Sequence, residues 1–318
     1  MREVIEKIKS AHSMALLPHI NEDPDALGSC FAFAAAMRTL GKTAVCYTND
    51  DIEDHLKFIG GEYVVYSPDM DVAENYDLCV CLDCGDVERL GDRKRLFDEI
   101  GNTVNIDHHY TNTRFADANY VDGNAAATSE ILTILFKEIG VELNEEIARF
   151  LYIAICSDTG CFKFSNVSPK TMRIAADLLE FDIKHHDLAR LLFDTYSIET
   201  LQLRAEIIKN IHSYADGRIR VACADDCLFE KCHASVKDSP NLVDIPRSIT
   251  GTEIAVCIKH QDGAIRANMR SNSDADVAKA ALVFGGGGHA KAAGCTLNAA
   301  SLEDAEKLIV AECMKQLK

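Results

Sequence analysis

The chain of 318 residues is poor in basic side chains. It holds 33 Lys and Arg against 50 Asp and Glu, which gives a formal net charge of −17. Because a groove for nucleic acid of any sequence needs Lys and Arg clustered along the phosphates, this deficit argues against a long nucleic-acid partner. A short nucleotide is not excluded, since metal ions and a few local cations can bind it. The charge therefore limits the size of a substrate more than its chemistry.

Long hydrophobic runs are also absent. No stretch of about 18 apolar residues occurs, so no membrane-spanning helix is expected. Residues 1–10 are charged and amphipathic and lack the apolar core of a signal peptide. The 13 cysteines lie largely in apolar runs, as at Cys30, Cys79, Cys156 and Cys257, and are expected to be reduced core residues. These features predict a cytoplasmic protein.

The apolar content, at 47% of residues, is enough for two globular domains. Residues 1–184 alternate strand-like and helical runs, which predicts an α/β domain with a mostly parallel sheet and helices on both faces. Residues 185–211 are charged and are predicted to form a helical connector, and residues 212–318 a second, smaller α/β domain. The predicted strands lie at 13–18, 43–47, 63–66, 78–82, 103–106, 219–222, 252–259 and 264–269.

One segment, His-Ile-Asn-Glu-Asp-Pro-Asp-Ala-Leu-Gly-Ser at 19–29, follows a predicted strand and precedes an alanine-rich helix predicted at 27–40. It is therefore placed at the carboxyl end of a strand, where open α/β sheets bind ligands. His19, Asp23 and Asp25 offer ligands that suit Mn²⁺, Mg²⁺ or Zn²⁺. On extended backbone the two carboxylates would share a face, where their repulsion favours a cation between them. The alternative is a surface turn that caps the helix.

Three further segments end in Asp or His. Asp83 follows the apolar run 76–82, Asp-His-His at 107–109 follows a predicted strand, and Asp158 follows an apolar helical run. Four elements that each deliver carboxylate or imidazole groups favour a di-metal centre. Three other groupings are weaker candidates for a metal site. Cys81 and Cys84 suit an apolar core, the spacing of Cys223, Cys227, Cys232 and His233 is irregular, and His185 and His186 suit a solvated helix start.

These motifs, in this order, resemble those of the DHH phosphoesterase family. The segment Phe-Gly-Gly-Gly-Gly-His-Ala-Lys-Ala-Ala-Gly at 284–294 resembles the family's DHH-associated C-terminal domain, and no motif position departs from the pattern. The resemblance implies two Mn²⁺ ions, with Mg²⁺ or Co²⁺ as alternatives. It implies a first cation held by His19, Asp23 and Asp83, and a second held by Asp25, Asp83, His108 and Asp158, with Asp83 bridging them.

The resemblance also implies roles for residues beyond the metal ligands. Asp107 is expected to orient its neighbours or to touch the site, and His109 to contact a substrate phosphate. Gly28 next to the site is expected either to help bind an anion or to allow close packing. In the second domain, the glycines are expected to form an anion-binding nest. The residues expected to bind the substrate there are Arg270, Ser271, Gly286, Gly287, Gly288 and His289. Arg266 is a weaker candidate for a substrate contact.

Stand-alone chains of this size resemble the oligoribonuclease type within the family. The resemblance implies a metal-dependent phosphodiesterase or phosphatase that hydrolyses short oligoribonucleotides (nanoRNA, pApA) and 3′-phosphoadenosine 5′-phosphate, through attack of metal-activated water on phosphorus. The catalytic centre is expected on the first domain and the far end of the substrate on the second. The alternatives are a cyclic di-AMP phosphodiesterase, a hydrolase of a non-nucleotide phosphate, and a non-catalytic nucleotide-binding module. The oligomeric state stays open, with a homodimer as one option.

Overall fold

The computed structural model describes residues 1–234, 242–261 and 263–318. The chain forms two compact units, Met1–Thr195 and Tyr196–Lys318, each with its own six-stranded sheet. Within the described residues no helix is long and apolar enough to cross a bilayer. All 13 cysteines are free, and ten of them are buried, as expected of reduced core residues.

The sheet of the first unit is parallel throughout. Its strands run in the order β3-β2-β1-β4-β5-β6, so the direction of strand addition reverses between β1 and β4. Ligands bind at this switch point in open α/β sheets. The sequence missed only the short edge strand β6. The strands are β1 (Ser13–Leu17), β2 (Thr43–Thr48), β3 (Tyr63–Val65), β4 (Leu78–Leu82), β5 (Thr103–Asp107) and β6 (Ala118–Val121).

Helices cover both faces of this sheet, as the sequence predicts. Because successive strand residues point to opposite faces, Leu16 and Val80 belong to one apolar cluster, whereas Leu17 and Cys81 belong to another. The first cluster packs against α2, α4 and α5, and the second against α3. The helices are α1 (Arg2–Ser10), α2 (Pro24–Thr39), α3 (Lys94–Ile100), α4 (Thr128–Ile139), α5 (Glu145–Asp158), α6 (Pro169–Leu178) and α7 (His185–Phe193), with short 3₁₀ helices at Asp54–Ile59, Ala73–Asn75 and Val87–Arg93.

Gly28 allows α2 and α5 to pack closely. A Cβ atom at this position would lie 2.8 Å from the carbonyl oxygen of Phe150 and 3.0 Å from the Cβ atom of Ala154. Gly28 also lies beyond the first turn of α2, where backbone N–H groups bond within the helix. Of the two interpretations of Gly28, close packing is therefore the correct one, and anion binding by its N–H is wrong.

The second unit is a mixed α/β layer, which agrees with the predicted smaller domain. Its sheet order is β11-β12-β10-β9-β8-β7, and only β8 and β9 are parallel neighbours among its described strands. The sequence missed β7, β11 and β12. The elements are α8 (Ile198–Lys209), β7 (His212–Tyr214), β8 (Ile219–Ala224), α9 (Asp226–Lys231), α10 (Asp244–Arg247), β9 (Ile254–Gln261), β10 (Ala264–Ser271), α11 (Val277–Leu282), β11 (Gly287–His289), β12 (Ala292–Leu297) and α12 (Leu302–Met314).

The predicted connector at 185–211 coincides with two helices. The first, α7, is counted with the first unit, and the second, α8, with the second unit. The domain boundaries at 184 and 211 stay predictions.

Candidate metal centre

The site forms where β1, β4 and β5 end side by side. His19 follows β1, Asp83 follows β4, and Asp107 closes β5. Asp83 has a φ of +58°, in the left-handed region that non-glycine residues seldom adopt. Its backbone N–H donates to the carbonyl of Ile106 (3.0 Å), which ties the turn to the neighbouring strand. Such outliers collect at functional sites, where the surrounding structure holds them in place.

The helix after β1 begins earlier than the sequence suggests. Asp23 is the N-cap of α2, and its side chain accepts a hydrogen bond from the backbone N–H of Ala26 (3.0 Å). Pro24 occupies the first helical position, where its missing N–H costs nothing. The expectation that Asp23 and Asp25 lie on extended backbone is therefore wrong, because Asp25 is already helical. Capping and metal binding are not exclusive here, since Asp23 also lies among the candidate ligands.

A first group of possible ligands contains His19, Asp23 and Asp83. The Nε2 atom of His19 lies 3.6 Å from Asp23 Oδ2 and 3.6 Å from Asp83 Oδ2. Donor atoms that share a cation with bond lengths of about 2.1 Å are roughly 3–3.5 Å apart, so small movements would complete this site. His19 and Asp83 are buried, whereas the Asp23 side chain is 47% exposed, which leaves this group open to solvent.

A second group contains Asp25, His108 and Asp158. The Nε2 atom of His108 lies 3.3 Å from Asp158 Oδ2 and 3.9 Å from Asp25 Oδ2. It also lies 3.5 Å from Asp83 Oδ1. The two oxygens of the Asp83 carboxylate therefore face two different groups of donors, with Oδ2 towards His19 and Oδ1 towards His108.

Both histidines present the same nitrogen to the carboxylates. The Nδ1 atom of His19 is 2.7 Å from the carbonyl oxygen of Ile20, and that of His108 is 3.3 Å from the carbonyl oxygen of Ala125. A proton on Nδ1 donates to these carbonyls and leaves the lone pair of Nε2 for a cation. At His108 the structure thus favours the tautomer that metal binding requires. At His19 the Nη2 atom of Arg89 also lies 3.1 Å from Nδ1, and as a donor it favours the other tautomer.

Asp107 holds His109 and stands outside the candidate metal groups found among the described residues. Its Oδ1 atom accepts hydrogen bonds from His109 Nδ1 (2.7 Å) and from the backbone N–H of His108 (2.8 Å). Its Oδ2 atom accepts from Asn112 Nδ2 (2.6 Å). Of its two predicted roles, the geometry favours orientation of the neighbouring histidines.

The site has an excess of buried negative charge. Burial and the nearby charge of Asp83 raise the pKa of Asp25 to about 7. Burial and the other carboxylates likewise raise the pKa values of Asp83 and Asp158. Burial would lower the pKa of His109, but its hydrogen bond to Asp107 and the charges around it outweigh burial and raise that pKa to about 9. Oxygen and nitrogen donors with uncompensated negative charge fit hard or borderline divalent cations.

Sequence reasoning missed two arginines beside the site. Arg93 is fully buried, and its Nη1 atom donates to the carbonyl of Tyr47 (2.7 Å) and lies 3.3 Å from Glu22 Oε1. It thereby anchors the turn that carries Asp23. Arg89 Nη2 is 3.1 Å from His19 Nδ1. No local pattern marks either arginine, because both act on residues distant in sequence.

The predicted substrate residues on β10 point in two directions. Arg270 is partly buried, its Nη1 atom donates to the carbonyl of Met269 (3.1 Å), and burial lowers the pKa of its guanidinium. Arg266 lies on the same face of the strand as Arg270 and is exposed. Ser271 points to the opposite face, is buried, and donates its hydroxyl to the carbonyl of Ser273 (2.9 Å). Its hydroxyl is thus used within the second unit.

The glycine segment forms a tight hairpin. Residues Gly287–His289 form β11, which pairs antiparallel with β12. A Cβ atom at Gly286 would lie 2.3 Å from the carbonyl oxygen of Gly294, and one at Gly288 would lie 2.5 Å from that of Ala292. Close approach of the two strands accounts for these glycines, while His289 is exposed at the end of β11.

The competing metal sites receive no support. Cys81 and Cys84 are buried among apolar side chains, and His185 and His186 are exposed at the start of α7. Within the part of the chain that the structure describes, neither these residues nor Cys223, Cys227, Cys232 and His233 form a group that could hold a metal ion.

The sequence matches two family models and a relative of nearly the same length. The model of the DHH family, N-terminal domain, matches residues 13–155, and that of the DHHA1 domain matches residues 225–315. The chain is 30% identical over 320 residues to the bifunctional oligoribonuclease and PAP phosphatase NrnA of Thermus thermophilus. That match covers 100% of this chain and 94% of the relative.

Solved structures share the fold. An exopolyphosphatase-related protein from Bacteroides fragilis has a TM-score of 0.90 at 22% identity, covering 99% of this chain and 96% of that one. RecJ from Thermus thermophilus, crystallised in complex with Mn²⁺, has a TM-score of 0.59 at 12% identity, covering 99% of this chain and 54% of RecJ. At these identities the similarity concerns the fold.

Proposed function

The chain belongs to the DHH family, and we propose that it is a metal-dependent hydrolase of short oligoribonucleotides and of 3′-phosphoadenosine 5′-phosphate. Family membership makes it a hydrolase of phosphoester bonds. The substrates are proposed from the Thermus relative, which is named for oligoribonuclease and PAP phosphatase activities and matches over nearly the full length of both chains. The net charge of −17 favours short substrates over long strands.

The position of Asp83 carries the proposal. Its Oδ2 atom faces His19 Nε2 at 3.6 Å, and its Oδ1 atom faces His108 Nε2 at 3.5 Å. A carboxylate shared by two donor groups suits a pair of cations, which can stabilise both the attacking and the leaving oxygen of a phosphoester displacement. We therefore assign the bridging role to Asp83. The further ligands are His19 and Asp23 for one cation, and Asp25, His108 and Asp158 for the other.

Two Mn²⁺ ions, or Mg²⁺ or Co²⁺ in their place, fit this donor set. When bound, they would neutralise the charge of the phosphate and lower the pKa of a water molecule that attacks phosphorus. The buried carboxylates supply the charge that holds them, and the exposed side of Asp23 leaves an approach for substrate. The fold shared with a manganese-bound RecJ agrees with this choice.

His109 is proposed to stabilise the transition state. Its Nδ1 atom is held by Asp107 at 2.7 Å, which leaves Nε2 for an oxygen of the substrate phosphate. Its hydrogen bond to Asp107 and the neighbouring carboxylates raise the pKa of His109 to about 9, which favours the protonated imidazole. A fixed positive donor opposes the negative charge that grows on the phosphoryl oxygens. The contacts proposed for the rest of the nucleotide lie in the second unit, at Arg270, Gly286, Gly287, Gly288 and His289.

Replacement of Asp83 by Asn tests the proposal. Asn tolerates the left-handed backbone at this position and keeps the size of the side chain, but it loses the charge that both cations need. We expect Asp83→Asn to lower kcat with pApA and Mn²⁺ roughly 10³-fold, which corresponds to about 4 kcal/mol. Asp98→Asn, an exposed change on α3, serves as the control. Hydrolysis by Asp83→Asn at the wild-type rate would refute the assignment.

A substrate panel separates the candidate activities. The wild-type protein with Mn²⁺ is given pApA, a short RNA, 3′-phosphoadenosine 5′-phosphate, cyclic di-AMP and pyrophosphate. We expect the first three to be hydrolysed fastest. Preference for cyclic di-AMP or pyrophosphate would contradict the proposed substrate class.

We also propose that the protein works in the cytoplasm, since all 13 cysteines are free and ten are buried. A homodimer stays a prediction, which light scattering of the purified chain tests directly.

A further inference from the structure

Helix α4 begins without a cap of its own. Its N-cap residue is Ala127, whose side chain has no acceptor for the first N–H groups of the helix. The carboxylate of Asp25, which belongs to α2, takes over this function. Its Oδ2 atom accepts from the backbone N–H of Thr128 at 2.7 Å, and its Oδ1 atom from that of Ser129 at 3.3 Å. The N-terminus of α4 is thereby fixed against the metal centre.

The hydroxyl of the same threonine reaches a second carboxylate. Thr128 Oγ1 donates to Asp83 Oδ1 at 2.8 Å, and both side chains are buried. Asp83 Oδ1 is the oxygen that faces His108, while Oδ2 faces His19. Thr128 therefore contacts two of the proposed metal ligands, one through its backbone and one through its side chain.

We propose that Thr128 is a positioning residue, whose hydroxyl sets the plane of the Asp83 carboxylate so that each oxygen faces one cation. This inference rests on the proposed function. The carboxylate of an aspartate can adopt a broad range of angles about the Cβ–Cγ bond. One hydrogen bond from a rigid neighbour is therefore enough to select one orientation of the carboxylate plane. Thr128 is rigid because it is β-branched and lies in the first turn of a helix whose start is held by Asp25.

The hydrogen bond and the cation do not compete for the same electrons. Each oxygen of an ionised carboxylate has two lone-pair positions. Asp83 Oδ1 uses one for the hydroxyl of Thr128, which leaves the other for a cation beside His108. Asp83 Oδ2 keeps its lone pairs for a cation beside His19. Hydrogen bonds of this kind to metal ligands typically change metal affinity by about 10- to 100-fold when removed.

The test uses three variants of the full-length protein. Thr128→Val removes the hydroxyl while it keeps the shape of the side chain and the backbone N–H. Thr128→Ser restores a hydroxyl at the same position. Thr133→Val is the matched control, because Thr133 lies on the same helix and donates its hydroxyl to the carbonyl of Ser129 (2.9 Å). Metal-free samples are titrated with Mn²⁺ by calorimetry, and electron paramagnetic resonance reports the magnetic coupling between paired ions.

We expect Thr128→Val to bind Mn²⁺ about 10- to 100-fold more weakly and to lose the signal of a coupled pair. Thr128→Ser and Thr133→Val are expected to retain both properties within a few-fold. If Thr128→Val does not fold, as judged by circular dichroism, Thr128→Ala replaces it, since it removes the hydroxyl and adds no apolar bulk.

The outcomes separate this inference from the proposed function. Wild-type affinity and coupling in a folded Thr128 variant without the hydroxyl would overturn the positioning role and leave the di-metal proposal standing. Equal losses in Thr128→Val and Thr128→Ser would also overturn it, because the hydroxyl would not be the cause. A wild-type protein that binds no pair of Mn²⁺ ions would overturn the proposed function and this inference with it.

Discussion

The carboxylate of Asp25 accepts a hydrogen bond from the backbone N–H of Thr128 at 2.7 Å, across 103 residues of sequence. One side chain thus serves as a proposed metal ligand and as the cap of another helix. Ser29 Oγ also donates to Asp25 Oδ1 at 3.1 Å, so the carboxylate is held even though it is fully buried. The fold therefore holds a buried carboxyl group where a cation is proposed to bind, so stability and metal binding are linked.

Asp25→Asn is expected to reduce the stabilisation of the folded protein by bound Mn²⁺. In the wild-type protein, Mn²⁺ at about 100 times its dissociation constant adds roughly 2.7 kcal/mol per site. For a unit of this size that corresponds to a rise of roughly 5–10 °C in the unfolding midpoint. Asn has no charge to hold the second cation, so we expect less than half of this rise in Asp25→Asn. Differential scanning fluorimetry with and without Mn²⁺ measures it, with Asp98→Asn as the control.

Metal binding is expected to strengthen as the pH rises through about 7, the raised pKa of Asp25. A protonated Asp25 must lose its proton before it binds a cation, so binding releases protons below this pH. Calorimetric titration with Mn²⁺ in two buffers of different ionisation enthalpy counts these protons. We expect proton release near pH 6 and little near pH 8.5. Equal affinity and no proton release near pH 6 would contradict the prediction.

The metal-free protein should show the opposite trend in stability. The pKa of Asp25 is raised on folding from its ordinary value near 3.9 to about 7, so the folded state binds the proton more tightly than the unfolded state. Asp25 therefore contributes to the stability of the folded state at low pH, and this contribution is lost as the pH rises from about 4 to about 7. Urea unfolding in the presence of a chelator should show a smaller decline between about pH 5 and 8 in Asp25→Asn than in the wild type.

Asp107→Asn is expected to lower the pKa of His109. The hydrogen bond from His109 Nδ1 to Asp107 Oδ1 is the main contribution that outweighs burial and raises this pKa to about 9. Without the charge of Asp107, burial should bring the pKa back towards its ordinary value of about 6.5. NMR titration of the labelled imidazole gives the shift directly. We also expect kcat to fall roughly 10- to 100-fold at neutral pH, since the cationic donor is lost.

The sequence could predict the centre because its ligands follow strands. His19, Asp83 and Asp107 each come directly after an apolar run, and the carboxyl ends of parallel strands meet at one edge of a sheet. The family predicted from these motifs is confirmed by the match to the Thermus relative and to both family models. The order of the strands, which puts β1 beside β4, depends on packing between distant segments and could not be read from local pattern.

Other parts of the site depend on contacts that no local pattern encodes. The capping of α4 by Asp25 links residues 103 positions apart, and the buried Arg93 anchors the turn of Asp23 through Glu22. In the second unit, Gly286 and Gly288 indicate positions where a side chain does not fit. The sequence does not say whether a ligand or a neighbouring strand takes up that space. Strand β12 lies too close to both positions for a Cβ atom, and β11 has no apolar alternation that would mark it as a strand.

Gly28→Ala is expected to weaken the metal centre through packing alone. The added Cβ atom would lie 2.8 Å from the carbonyl oxygen of Phe150 and 3.0 Å from Ala154 Cβ, so α2 must move away from α5. Overpacking of this kind costs about 1–3 kcal/mol, against a gain of about 1 kcal/mol in helix propensity. Because α2 carries Asp25 and α5 carries Asp158, the movement would separate two proposed ligands of the same cation.

We therefore expect Gly28→Ala to lower the affinity for the second Mn²⁺ several-fold and to reduce stability by up to about 2 kcal/mol. Calorimetric titration and urea unfolding measure the two effects. Ala34→Gly, a half-buried change on the same helix, loses about 1 kcal/mol of propensity without a steric contact. It should lower stability by a similar amount and leave Mn²⁺ binding intact, since the spacing of α2 and α5 is unchanged. If both variants lose Mn²⁺ affinity equally, general destabilisation rather than the distance between Asp25 and Asp158 controls the site.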